Sequence, residues 1–211
     1  MGEGPEETRR AGGSGGRWLA LALVVVLVLG AGALYFSNRE EFKAAVPAPP
    51  SAGELHAYAK GSLRKLEAPA RASRLTDLKF NDAEGRPADL SAFRGRIVVL
   101  NLWATWCAPC VTEMPTLAAL QRAYPVERLT VVPVSMDPPR LLPNAKNFID
   151  VHDPLPLYHD PNFAMPTALG VKGMPATVIY DREGREVARL MGEADWDSPE
   201  ARALLDRLLA E

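Results

Sequence analysis

The feature that most constrains this chain is an apolar run that ends in two closely spaced cysteines. Residues 97–103, Ile-Val-Val-Leu-Asn-Leu-Trp, lack the alternation of a half-exposed strand, so they predict a strand buried on both faces. Cys107 and Cys110 follow as a C-x-x-C pair. Beyond them, apolar residues recur every three to four positions, which predicts a helix: Met114, Leu117, Leu120 and Tyr124. A strand buried on both faces needs a covering layer on each side, so the sequence predicts an α/β domain.

The rest of residues 74–211 fits one domain of this class, a mixed sheet flanked by helices. In chain order the patterns predict a hairpin over 80–90, a second core strand over 129–134, short helices over 144–151 and 164–169, antiparallel strands over 176–180 and 186–191, and a final helix capped by Ser198. Pro133 lacks the N–H that a ladder hydrogen bond needs, so we expect the second core strand to be shorter or bulged there. Asn144 is the expected cap of its helix.

The N-terminal part of the chain has the pattern of a membrane anchor. Residues 18–36 carry no charge, and at ~1.5 Å per residue they are long enough for the ~30 Å apolar core of a bilayer. The arginines before this stretch place residues 1–17 in the cytoplasm and everything after it outside. We therefore predict a cytoplasmic tail (1–17), a transmembrane anchor (18–36), an extracytoplasmic linker (37–73) and a folded domain (74–211) in the periplasm or another extracytoplasmic space.

Two of these segments have an alternative interpretation. Residues 18–36 could belong to a cleaved signal peptide, with Ala31-Gly32-Ala33 as the cleavage site. The proline-bearing linker predicts a tether that is partly extended and partly weakly helical. Its stretch 54–67 could instead form a helix that docks on the domain.

Composition excludes several classes of protein. The chain has 24 basic and 26 acidic residues, so its bulk charge gives no reason to expect binding to a nucleic acid. Two cysteines are too few for a small disulfide-stapled fold or a four-cysteine zinc site.

The position of the two cysteines indicates redox chemistry. Cys107 lies where a buried strand turns into a helix, and a helix N-terminus favours a thiolate. Cys110, one turn further on, should be more buried and remain a thiol. A zinc site is the first alternative, but His56, His152 and His159 lack the spacing of ligands. An inert disulfide is the second, although closing so short a loop stabilises little. We therefore predict a redox-active Cys107–Cys110 disulfide that works without a metal or a cofactor.

Several motifs carry a resemblance to a known family. They are FRGRIVVLNLWATWCAPC (93–110), Glu-Met-Pro (113–115), GMPATVIYDREG (173–184), Gly192 and Trp196. With these motifs the chain resembles the membrane-anchored thiol–disulfide interchange proteins of the TlpA/ResA type in the thioredoxin superfamily, and the TlpA kind is the most similar. The resemblance implies a thioredoxin-like sheet with an N-terminal hairpin and a helix–strand insertion between the second core strand and the Gly-Met-Pro motif.

The same resemblance implies roles for residues around the disulfide. Cys107 would be the nucleophile and Cys110 the resolving thiol. Pro175 stands where the family has a cis-proline that faces the cysteines, and Met174 would offer its backbone to an extended substrate. Trp106, next to Cys107, would shield the disulfide or form a platform for substrate.

Glu113 matches the position of a partly buried acid near the disulfide in ResA-type proteins. Asn101 stands where many thioredoxins have a buried aspartate, and an asparagine cannot carry protons, so Glu113 would take over proton transfer. The alternative is a solvent-exposed glutamate that interacts with the helix dipole. Trp103 is expected to be an ordinary core residue.

The resemblance also implies partners. The chain would be a monomer that reduces cysteine pairs of extracytoplasmic proteins, either apocytochrome c or factors that assemble the copper centre of cytochrome oxidase. Its electrons would come from a membrane thiol carrier of the DsbD/CcdA type. One alternative is a copper-binding assembly chaperone that uses Cys107, Cys110 and His159. The other is a thiol peroxidase, which would need a threonine where Ala104 stands.

We predict that the full chain fractionates with membranes and withstands an alkaline carbonate wash, because residues 18–36 can span a bilayer. Protease added to spheroplasts should digest the domain. N-terminal sequencing that finds a mature chain beginning near Leu34 would contradict the anchor.

Overall fold

The computed structural model describes residues 49–69 and 78–210, and the anchor predicted at 18–36 lies outside these ranges. The helices are α1 (Ala52–Tyr58), α2 (Ala108–Ala123), α3 (Leu142–Asp150), α4 (Met165–Leu169) and α5 (Pro199–Leu209). The strands are β1 (Leu66–Glu67), β2 (Lys79–Asn81), β3 (Pro87–Asp89), β4 (Ile97–Trp103), β5 (Leu129–Ser135), β6 (Tyr158–His159), β7 (Ala176–Tyr180) and β8 (Glu186–Met191). Among the helices of residues 49–69 and 78–210, none is both long and apolar enough to cross a membrane.

The described strands form one mixed sheet in the order β1-β8-β7-β4-β5-β6-β2-β3. Strand β4 is central, parallel to β5 and antiparallel to β7, and every residue of β4 is buried. The apolar run 97–103 therefore forms a strand that is buried on both faces, as predicted. Around it, α2 packs against β5 and α5 packs against β4.

The predicted hairpins and insertion are confirmed. Strands β2 and β3 pair antiparallel, as do β7 and β8. Helix α3 and strand β6 form the insertion between β5 and the Gly-Met-Pro motif. Ser198 caps α5 by accepting a hydrogen bond from Ala201 N, and the leucines of this helix are buried.

Two details around prolines differ from expectation. Strand β5 runs without interruption from Leu129 to Ser135, and Pro133 lies opposite Asn101 in a complete register with β4. The missing N–H is tolerated because β6, on the other side, pairs with Val134 and Ser135, which follow the proline. Helix α3 begins at Leu142, so Asn144 is not its cap. Pro143 occupies the first turn, where its fixed φ favours helix initiation.

The largest correction concerns the predicted linker, because residues 49–69 belong to the domain. Ser51 caps helix α1 and forms a capping box with Glu54. Leu55, Leu63 and Leu66 are buried in the common core. Strand β1 pairs with β8, so this segment also closes one edge of the sheet. The compact unit runs over Pro49–Glu211 rather than 74–211. The stretch docks on the domain, as in the alternative interpretation, but its α-helix ends at Tyr58 and a strand follows.

Replacing Leu63 with alanine should lower the free energy of unfolding by ~2–5 kcal/mol, because the side chain is fully buried. Urea unfolding of the oxidised protein measures this change. The neighbouring exposed residue supplies the control: Arg64→Ala should change the free energy by less than ~0.5 kcal/mol. Equal effects of the two substitutions would show that the segment adds nothing to the core.

Candidate active site

The two cysteines are joined as a disulfide at the start of α2. Cys107 is the N-cap residue of this helix, and its Cα atom lies 5.3 Å from that of Cys110. Cys107 is 7 % exposed, whereas Cys110 is completely buried. Pro109 lies in the first helical turn, where a missing N–H costs little. Cys107 is therefore the more accessible of the two sulfurs, and it lies at a helix N-terminus, which favours a thiolate.

Asp137 anchors the loop that leads from β4 to the disulfide. Its carboxylate accepts hydrogen bonds from Thr105 N (3.0 Å) and Thr105 Oγ1 (2.6 Å), and a third from Ser135 Oγ (2.9 Å). The carboxylate is buried, so these bonds are shielded from water. Sequence reasoning missed Asp137. A signal was available in the sequence, because Asp137 comes two residues after β5 and Thr105 comes two residues after β4. Neighbouring parallel strands end at the same edge of a sheet, so the two residues are expected to lie close together.

An apolar cleft of ≈ 550 Å³ lies beside Cys107. Its walls come from the active-site loop, helix α4 and the segment before β7: Trp106, Cys107, Ala108, Pro109, Phe163, Pro166, Thr167, Val171, Lys172, Gly173 and Met174. The two aromatic side chains in this wall are unusually accessible, with Trp106 58 % and Phe163 48 % exposed. The cleft therefore offers an apolar surface next to the reactive sulfur.

Phe163 is a second residue that sequence reasoning missed. Its φ angle is +54°, a region that bulky side chains rarely occupy. The turn is held by Asp160, whose carboxylate accepts hydrogen bonds from Asn162 N (3.1 Å) and Met165 N (2.7 Å). The Pro161-Asn162 pair signals a turn, but no sequence pattern shows that the next side chain is exposed.

Met174 and Pro175 show part of the geometry that the resemblance implies. The peptide bond between them is cis, and Met174 lines the cleft together with Cys107. The Pro175 carbonyl accepts a hydrogen bond from Gly192 N (2.9 Å), which connects the start of β7 to the end of β8.

Glu113 is a buried acid with three hydrogen-bond donors around its carboxylate. It lies three residues after Cys110 on α2 and is only 2 % exposed, so the solvent-exposed alternative is wrong. Oε1 accepts from Asn101 Nδ2 (2.7 Å), and Oε2 accepts from Ala194 N (3.1 Å) and Trp196 Nε1 (3.3 Å). Burial raises the pKa of Glu113 to about 7, although the three hydrogen bonds oppose this shift and the charge of Glu193 adds to it.

Asn101 connects this acid to the sheet. Its Nδ2 also donates to Thr177 Oγ1 on β7 (3.0 Å). Among the residues that the structure describes, the buried Oδ1 of Asn101 and the indole Nε1 of Trp103 have no hydrogen-bond partner. Trp103 is a core residue, as expected, and its ring packs 5.3 Å from that of Phe148. Sequence reasoning linked Asn101 to Glu113 only through the family, and it missed Thr177 and the contact of Trp196.

The two alternative chemistries find no support in the geometry. His159 is buried, and its Nε2 is hydrogen-bonded to the Asp137 carbonyl (2.7 Å). Within residues 49–69 and 78–210, no three or more His, Cys, Asp or Glu side chains form a group that could hold a metal ion. The position that a thiol peroxidase would fill with threonine is Ala104, and the hydroxyl of the next residue, Thr105, bonds to Asp137.

Sequence comparison supplies independent information about this site. The model of the AhpC/TSA family matches residues 72–187. The thiol-disulfide oxidoreductase ResA of Bacillus thuringiensis subsp. konkukian is 30% identical over 113 residues, which cover 53% of this chain and 64% of that protein. The ResA of Halalkalibacterium halodurans is 24% identical over 171 residues, which cover 81% of this chain and 83% of that protein. The chain thus spans just under two thirds of the length of the first of these relatives.

Solved structures share the fold. A Chlorobium tepidum protein assigned as thiol:disulfide interchange protein DsbE is 26% identical, with a TM-score of 0.58 over 66% of this chain and 97% of that one. A secreted thiol-disulfide isomerase from Corynebacterium glutamicum is 25% identical, with a TM-score of 0.58 over 70% of this chain and 93% of that one. The thioredoxin-like mixed sheet is therefore confirmed, while the likeness to the TlpA kind stays a prediction.

Because burial raises the pKa of Glu113 to about 7, the folded oxidised protein should bind a proton there that the unfolded chain releases near 4.5. The free energy of unfolding should therefore increase as pH falls from about 7 to 4.5, by up to ~3 kcal/mol from this group. Urea unfolding at several pH values measures the slope.

Glu113→Gln should remove this part of the slope, and the exposed Glu127→Gln should leave it unchanged. The disulfide keeps both cysteines from titrating in this experiment. Identical slopes for the parent and Glu113→Gln would mean that folding does not raise the pKa of Glu113.

Proposed function

The chain belongs to the AhpC/TSA family, and on that premise we propose that it is a thiol–disulfide oxidoreductase acting on cysteine pairs of other proteins. The observation that carries the proposal is the Cys107–Cys110 disulfide at the start of α2, with one sulfur at the edge of an apolar cleft and the other buried. The names of the relatives support the same activity.

The reaction begins with the reduced pair. The Cys107 thiolate attacks one sulfur of a client disulfide, forming a mixed disulfide and releasing the other client sulfur as a thiolate. Cys110 then loses its proton and attacks the Cys107 sulfur, which releases the second client thiolate and restores the Cys107–Cys110 disulfide. Two electrons pass from the enzyme to the client. A second dithiol must later return them.

Glu113 is the proposed acceptor of the Cys110 proton. Both residues are buried on α2, where water does not compete for the proton. A carboxyl group whose pKa is raised to about 7 holds and releases a proton readily at neutral pH. General-base assistance of this kind contributes ~10²–10⁴ in rate.

The cleft is the proposed binding site for the client segment that carries the target cysteine. An extended segment would lie along Met174, which lines the cleft beside Cys107. Apolar side chains that flank the target cysteine would contact the exposed faces of Trp106 and Phe163. Burying these aromatic faces supplies binding free energy at ~25 cal/mol per Å².

The cellular setting is a further part of the proposal. The uncharged stretch 18–36 and the TlpA/ResA resemblance support a monomer anchored in the inner membrane, with its domain on the extracytoplasmic side. There it would reduce apocytochrome c or copper-centre assembly factors and receive electrons from a membrane thiol carrier of the DsbD/CcdA type. The chemistry involves no nucleic acid, metal or cofactor.

We predict that Cys110→Ser accumulates mixed disulfides through Cys107, because the buried sulfur that would release the client is gone. Cys107→Ser should trap far less, since Cys110 is inaccessible. Non-reducing electrophoresis followed by mass spectrometry identifies the clients, and the double variant is the control. Equal trapping by the two single variants would overturn the assignment of roles. Failure of Cys110→Ser to react even with a model peptide disulfide would overturn the function.

A further inference from the structure

We propose that Trp196 is a positioning residue for this exchange reaction: its indole N–H holds one oxygen of the Glu113 carboxylate and so sets how readily that carboxylate accepts the Cys110 proton. The inference rests on the proposed function. Trp196 lies in the loop after β8, whereas Glu113 and Cys110 lie on α2, far away in sequence. The loop would thus help to control proton transfer between two residues of the helix.

Trp196 is fixed at both its backbone and its side chain. Its backbone N–H donates to Thr116 Oγ1 (3.1 Å), and the Thr116 hydroxyl donates in turn to the Glu113 carbonyl (2.7 Å). Its indole Nε1 donates to Glu113 Oε2 (3.3 Å), and the whole side chain is buried. Helix α2 therefore holds the residue twice, which orients the indole towards the carboxylate.

Three N–H groups donate hydrogen bonds to the Glu113 carboxylate, and these bonds favour its ionised form. Ala194 N belongs to the backbone, and the Asn101 amide is shared with Thr177. The indole of Trp196 is the donor that a side-chain substitution removes most cleanly. Without it, burial would favour the protonated form more strongly, and a protonated Glu113 cannot accept a proton from Cys110.

The negative charges around Glu113 favour its protonated form. Glu193, in the same loop as Trp196, raises the pKa of Glu113. On α2, the ionisable group within one turn is Cys110 in its reduced state, and an anionic sulfur there would act in the same sense as Glu193. The contacts from β4 and β7 come from Asn101 and Thr177, which carry no charge. The indole hydrogen bond therefore opposes both burial and negative charge.

Trp103 provides a matched control. It is also a fully buried tryptophan, it lies on the same central strand as Asn101, and its Nε1 has no hydrogen-bond partner among the described residues. Trp103→Phe and Trp196→Phe remove the same chemical group from the same kind of surroundings. Only the second removes a hydrogen bond to Glu113.

The experiment uses the full chain in detergent with ¹³C-labelled glutamate carboxyl groups. In the oxidised protein, the Glu113 resonance is the one that Glu113→Gln removes. Trp196→Phe should move its titration midpoint upward by about one pH unit, whereas Trp103→Phe should not move it. The pH profile for resolution of a preformed Cys107–peptide mixed disulfide should shift upward by the same amount, with an unchanged rate at its high-pH plateau.

A measurement on the unaltered protein covers the case in which Trp196→Phe does not fold. In ¹⁵N-tryptophan protein, the indole N–H resonance of Trp196 should change with the midpoint of Glu113, and this change should vanish in Glu113→Gln. The indole resonance of Trp103 should stay constant. An indole resonance of Trp196 that does not follow Glu113 would overturn the inference.

The remaining outcomes separate the inference from the proposed function. If Trp196→Phe leaves the titration midpoint of Glu113 unchanged, the inference is overturned, whatever the activity of the variant. The inference is also overturned if the Glu113 midpoint shifts but the pH profile of mixed-disulfide resolution does not. Trp196 would then change the pKa of an acid that the reaction does not use. If the parent forms no mixed disulfide, the proposed function fails, and with it the role of Trp196 in the reaction.

Discussion

The burial of strand β4 on both faces is the constraint from which the site follows. Any change in the register of this strand would move apolar side chains against both covering layers and both neighbouring strands. The position of its last residue, Trp103, is therefore fixed. This also fixes where the following loop and helix α2 start. Asp137 adds a second point of attachment to the loop through Thr105. Cys107 is held at the edge of its cleft by the core of the domain rather than by the loop alone.

A polar network interrupts this core where stability alone would favour apolar side chains. Glu113, Asn101 and Thr177 are buried together, and a buried carboxylate is costly even when hydrogen bonds surround it. The donors come from strand β4 (Asn101) and from the loop after β8 (Ala194 N and the Trp196 indole), so no single element holds the acid. In the proposed reaction, the same low polarity that makes the carboxylate costly makes it a useful proton acceptor beside a buried thiol.

The parts of the fold that could be predicted are those specified by local patterns. The run before the cysteines, the helix after them and the hairpin of β7 and β8 all follow from periodicity and turn residues within short windows. The sequence left open whether residues 54–67 form a tether or dock on the domain, because the leucines of this stretch are buried by elements far away in sequence. The bonds of Asp137 to Thr105 and of Trp196 to Glu113 are likewise contacts between distant parts of the chain. Phe163 combines an exposed ring with a positive φ angle, and its residue type indicates neither.

Strand β1 has a consequence for how this domain can be cut. It covers the outer edge of β8 with only Leu66 and Glu67, so two residues separate a row of backbone N–H and C=O groups from solvent. A chain shortened to begin at residue 74, where the sequence patterns place the start of the domain, would keep every catalytic residue and uncover that row. Exposed strand edges pair with other chains. Such a fragment would carry an intact site and a surface that favours self-association, and its poor solubility would originate far from the cysteines.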